Sequence, residues 1–155
     1  MAAGLDYKRL RRLTTIYLIV QLFLVALLVY VAMLFQGGLA AEGNAQAFIR
    51  GGAMALVVQL ILFYPILKLS SKEAQREIDS CATGLTAEQL KALRNKRLLG
   101  DVIKSAVFVF YATFLLSMPA KKALYWPVFF SFILTYLCYF QCVTFAIKRG
   151  IAGKS

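Results

Sequence analysis

The chain has 155 residues, 61% of them hydrophobic, with 18 Lys and Arg against 7 Asp and Glu, a net charge of +11, and no histidine. A soluble domain of this length is about half apolar; here the excess is gathered into four long blocks, which excludes a water-soluble globule and points to an all-α membrane protein. The blocks are too long and too continuous for barrel strands of ~10 alternating residues, and the missing histidines argue against haem and His-based zinc or copper sites.

The first block, 13–35, follows Lys8, Arg9, Arg11 and Arg12. Its apolar run exceeds the roughly 7–15 residues of a signal peptide, and nothing like A-x-A with a mature soluble domain follows, so a retained helix is expected. "QGGLAAEGNAQ" supplies glycines and small residues for a reversal. The second block, 48–69, opens on Gly51 and Gly52, and Gly51 with Ala55 makes a small-xxx-small step that lets two backbones approach closely. Pro65 lies near its far end, where a kink is tolerated.

Residues 70–100 read as a helical loop outside the membrane. Ser70 and Glu73 have capping-box spacing, which predicts a short charged helix over "SKEAQREIDS". Thr86 and Gln89 make a second capping box, with Leu85 and Leu90 as a staple. From there no breaker occurs until Gly100, and Gly alone costs about 1 kcal/mol rather than ending a helix, so one helix from about Thr86 to Met118 is expected, entering the membrane at about Val102 and ended by Pro119. "AKKALYWP" is expected as a tight outer turn, with Tyr125 and Trp126 as interface anchors. The fourth block, 124–147, returns to the starting side. The whole chain, 1–155, then forms one domain of four transmembrane helices in two hairpins.

Charge gives the orientation. Eight Lys and Arg lie between Lys68 and Lys104, and Lys148, Arg149 and Lys154 follow the last block, whereas the first reversal holds only Arg50, balanced by Glu42. Lys121 and Lys122 weaken this bias without reversing it. The positive-inside rule places both termini and the central loop in the cytoplasm. Contact with anionic lipid heads, not nucleic acid, accounts for the charge.

Polar residues at membrane depth are the candidates for function, because hydrocarbon offers them no water. Gln21, Gln59 and Gln141 each lie several turns inside a block. They act either as interhelical glue, worth roughly 0.6–2 kcal/mol per hydrogen bond, or as a polar seam used by an ion or a partner helix. Asp101 and Lys104 share a helical face at i, i+3 and can pair, and Lys104 can snorkel to the head groups. They form either a collar at the cytoplasmic boundary or a contact with a partner or a cation. A lone Asp101 is a poor Mg²⁺ site, since that ion wants octahedral oxygen ligands. Cys138 and Cys142, at i, i+4 without other soft ligands, read as packing residues. No catalytic constellation and no cofactor motif is visible, so neither an enzyme nor a cofactor is expected.

In four places the sequence resembles the ATP synthase protein I family, small membrane proteins encoded with bacterial F-type ATP synthases. "RRLTTIYLIVQLF" is similar to the start of the family's first helix at Gln21 and Leu22. "GGAMALVVQLILF" is similar to its Gly-Gly second helix, with Gln59 and Phe63. "GDVIK" resembles the opening of its third helix at Gly100, Asp101 and Lys104, and "PVFFSFILTYLCYFQ" its last helix at Gln141. The chain departs from the family in its longer central loop and in Val58-Gln59, where a Pro-Asn pair is familiar. The resemblance implies an accessory protein of the bacterial inner membrane that helps assemble or stabilise the ring of c subunits. It also carries a proposed Mg²⁺-handling role, for which Asp101 is the residue to test. From the residues alone, cation transport along the amides, an undefined helical subunit of another membrane complex, and a homo-oligomer stay open.

Overall fold

The computed structural model describes residues 6–82, 84–117 and 121–152. They form four helices: α1, Tyr7–Ala41; α2, Ala45–Ser80; α3, Ala87–Ser117; and α4, Lys122–Ala152. All four are long and apolar enough to cross a membrane, the pattern that suggests a multi-pass membrane protein. Large apolar side chains such as Phe23, Leu60, Phe110 and Leu116 face outwards, which suits a chain whose solvent is lipid.

Each reversal is shorter than its sequence suggests. α1 runs through Gly37 and Gly38, because a helical glycine costs about 1 kcal/mol but ends nothing by itself, and Leu39 there is fully buried. The turn is Glu42–Asn44 alone. Gly43 takes φ +68°, a left-handed conformation open to glycine, and the Asn44 amide bonds back to the Leu39 carbonyl at 2.8 Å. Lys122 at the start of α4 pairs with Glu42 at 2.8 Å and lays its stem over Gly38. The expected outer turn "AKKALYWP" is likewise mostly helix, since α4 begins at Lys122 and includes Pro127. The expected stop at Pro119 lies outside the described residues, as do Met118 and Lys154.

Residues 70–100 are not a loop with a separate short helix. α2 continues unbroken past Pro65 to Ser80. Ser70 caps nothing: it is buried, and its hydroxyl donates back to the Leu67 carbonyl at 2.9 Å, a bond that competes with capping and suits a helix interior. The buried residues Ile66, Ser70, Glu73, Ala74, Glu77 and Ile78 keep one helical phase, so packing carries the helix onward. Over 36 residues α2 is about 54 Å long, well beyond a ~30 Å hydrocarbon layer. Its overhang and that of α3 project together from one end of the bundle. The Thr86 box forms as read: the Thr86 amide donates to Gln89 Oε1 at 3.0 Å, and the Gln89 amide to Thr86 Oγ1 at 3.3 Å.

The helices do not pack as two independent hairpins. α4 is central, with α1 and α2 against it, while α3 lies to one side of α2 and α4. The core at the basic end joins Leu10, Ile66, Ala74, Ile78, Tyr139, Val143 and Ile147 with Cys81. The Cys81 carbonyl accepts from the Asp6 amide at 2.9 Å, pinning the start of α1 to the end of α2. Burial pushes the Cys81 thiol above its ordinary value, which keeps it protonated and suits a packing role. Cys138 and Cys142 are half-buried free thiols. α3 buries only Gly100.

Trp126 is not an interface anchor. It is 2% exposed, donates its indole N–H to the Phe48 carbonyl at 2.8 Å, and stacks on Phe48 and Phe130 with Phe35 beside it. Gly51 makes room for it, since a Cβ there would stand 2.6 Å from Trp126 Cδ1. Gly51 and the buried Ala55 therefore serve packing of α2 inside the bundle. At Gly52 an added Cβ would stand 3.9 Å from Trp126 Nε1, ordinary contact, so that glycine is not required in the same way. Tyr125 is half-buried.

Candidate functional site

Polar bonds attach α3 at two heights. The upper set lies at membrane depth. Thr135 of α4 donates to Gln59 Oε1 of α2 at 3.1 Å, and the Tyr111 hydroxyl of α3 shares hydrogen bonds with Thr135 and Ser131 at 3.4 and 3.2 Å. Gln59 Nε2 is buried without a hydrogen bond. The ring of Tyr111 stands edge-on to Phe132. One amide thus joins α2 to α4, and one tyrosine joins α4 to α3.

The lower set lies at the basic end and is ionic. Lys104 Nζ stands 3.0 Å from Asp101 and 3.2 Å from Glu73 of α2, so the expected pair is a triad. Glu73 is its buried member, with a side chain 3% exposed, against 59% for Asp101. Its second oxygen lies 3.2 Å from Arg76 Nη2 without hydrogen-bond alignment. Arg76 also donates to the Lys96 carbonyl of α3, and Arg97 faces Glu77 at 3.8 Å. The Tyr136 hydroxyl donates to the Lys104 carbonyl at 3.0 Å, and the Lys104 ammonium lies 5.8 Å from the Tyr139 ring centre. Gly100 lets α3 come this close: a Cβ there would stand 2.7 Å from Glu73 Oε2 and 2.8 Å from Arg76 Nη1. A buried carboxylate is retained only when paired, and here Glu73 meets two cations from two helices.

Between the two attachments α3 stands away from α2. A crevice of about 500 Å³ remains, lined by Leu62, Ile66, Leu69, Ile103, Val107 and Phe110 among others. α3 is therefore a flanking helix held by polar clasps rather than by a shared apolar core.

The three amides do not meet. Gln21 donates to Thr144 Oγ1 of α4 at 3.0 Å, and Gln59 reaches Thr135, nine residues away on that helix. Gln141 is exposed on α4 and has no side-chain bond to the described residues. Two of the amides are glue between helices; no common path joins the three. Asp101 is equally unlike a metal ligand, because the Lys104 ammonium already occupies the place between the two carboxylates. Among the described residues no group of three His, Cys, Asp or Glu is arranged to hold a metal ion.

Sequence reasoning missed Glu73, Arg76 and Tyr111. The unbroken helical phase from Ile66 to Ile78 was the available signal that Glu73 faces the bundle. Nothing local marks Tyr111. No family model, curated protein or solved structure matches this chain.

Proposed function

We propose that this chain is an interaction protein of the bacterial inner membrane, an assembly or accessory factor that docks on the helices of a partner complex. Both termini and the projecting ends of α2 and α3 face the cytoplasm in this reading, which the gathering of Lys and Arg at that end of the bundle supports. The partner proposed is the ring of c subunits of an F-type ATP synthase, on the strength of the resemblance at Gly100, Asp101 and Lys104.

One observation carries the docking role: α3 is fastened at Tyr111 and Lys104, and an apolar crevice between α2 and α3 lies beside these clasps. A helix held this way can shift against α2 without breaking a core, and the crevice offers a partner helix apolar surface. In lipid, close packing and a few hydrogen bonds, rather than water exclusion, drive such association. Separation of the amides argues against cation transport, and the Lys104 bridge against Mg²⁺ handling at Asp101. No nucleic acid, cofactor or catalytic step enters this account.

The test is purification from mild detergent together with deletion. Co-purification of c subunits, and fewer complete rings in the deletion strain, are expected. Unrelated partners with normal ring assembly would overturn the reading.

A further inference from the structure

Where α1, α2 and α3 come together at the basic end, a cavity of about 380 Å³ is lined by Arg9, Arg76, Arg94 and Arg97, with Glu77 and Ser80. The four arginines come from three helices; Glu77 lines the cavity with them, and Glu73 stands against Arg76. Glu77 lies against Arg97, and Arg76 is engaged by Glu73 and the Lys96 carbonyl. The side chains of Arg9 and Arg94 have no ion-pair or hydrogen-bond partner among the described residues. Gathering like charges around a cavity costs energy unless an anion enters it. Arginine's planar fork matches phosphate oxygens two at a time.

We infer that this cavity is a binding site for a phosphate-bearing anion. Depth favours a phosphate at the membrane surface. Arg9 precedes the apolar block at Leu13 by four residues, and Arg97 precedes that at Val102 by five. At 1.5 Å per residue they stand about 6–8 Å outside the hydrocarbon, level with lipid head groups. A lipid phosphate can enter from the side and a soluble phosphate from the aqueous end; the recognising chemistry is the same. An occupied site ties the start of α1 to α2 and α3 whatever partner the protein serves, so the inference does not depend on the ATP synthase reading.

The full-length protein in neutral detergent is titrated with short-chain phosphatidylglycerol and, separately, with pyrophosphate at constant ionic strength, following thermal unfolding. Saturable stabilisation by at least one probe is expected. Response to the lipid alone assigns the phosphate to a head group, and response to pyrophosphate alone to a soluble ligand. Arg9→Gln with Arg94→Gln, two exposed residues whose side chains have no ion-pair or hydrogen-bond partner among the described residues, should weaken saturation about tenfold or more. Lys8→Gln with Lys148→Gln removes the same charge from the same end and should leave it unchanged. Stabilisation by neither probe, or equal weakening by both double variants, would overturn the site.

Discussion

Trp126→Ala is expected to destabilise the bundle by about 3–5 kcal/mol, the range for emptying a large aromatic site. The side chain fills the junction of α1, α2 and α4, against Phe35, Phe48 and Phe130, and its N–H satisfies the Phe48 carbonyl. Truncation leaves a cavity and takes away that hydrogen bond together. The chain has one tryptophan, so the comparison is made by circular dichroism during SDS titration in mixed micelles. A paired control separates packing from residue type. Gly51→Ala places a methyl 2.6 Å from Trp126 Cδ1, whereas Gly52→Ala meets nothing nearer than 3.9 Å. Gly51→Ala should therefore cost about 1–3 kcal/mol, while Gly52→Ala should be neutral or stabilising by up to about 1 kcal/mol through helix propensity. Equal effects at the two glycines, or a Trp126→Ala protein as stable as the parent, would contradict this packing.

Glu73→Leu should cost about 2–3 kcal/mol. Removing one partner of a fully buried ion pair costs about 3–5 kcal/mol; the lower figure allows for Lys104 and Arg76, whose side chains remain 28% and 17% exposed. Lys104 would keep only the exposed Asp101. Adding Lys104→Met to Glu73→Leu should recover part of the loss, because the Lys104 charge is removed with its partner and Arg76, 17% exposed, keeps its bond to the Lys96 carbonyl. The same SDS titration reads both variants. A double variant with the full sum of the single losses would show that the two residues act separately and that no buried pair fastens α3.

The sequence carried the large features of this fold through mechanisms that act locally. Four apolar blocks declare four helices because lipid forces every backbone group to bond within its own segment. The Thr86 cap was legible because its partners lie three residues apart, and Asp101 with Lys104 for the same reason. What could not be read depends on which helix lies beside which. Glu73 looked like the end of a capping box, and only α3 coming within reach across Gly100 makes it the centre of an ionic cluster. Trp126 looked like an interface residue because tryptophan favours that depth; the space left by Gly51 draws it inside. Gln21 and Gln59 stand out in the sequence as polar residues inside apolar blocks, but their partners Thr144 and Thr135 are visible only once α4 lies between α1 and α2.

The docking role is tested most directly by a photoreactive phenylalanine analogue at Phe110, on the α3 side of the crevice, compared with the same group at Phe23 of α1. Both positions are similarly exposed, at 66% and 67%, so lipid reaches them equally. In cells expressing the intact ATP synthase operon, illumination should yield an adduct with c subunit from Phe110 and none from Phe23. Lipid adducts alone at Phe110, or c-subunit adducts of equal yield from both positions, would contradict α3 as the docking helix.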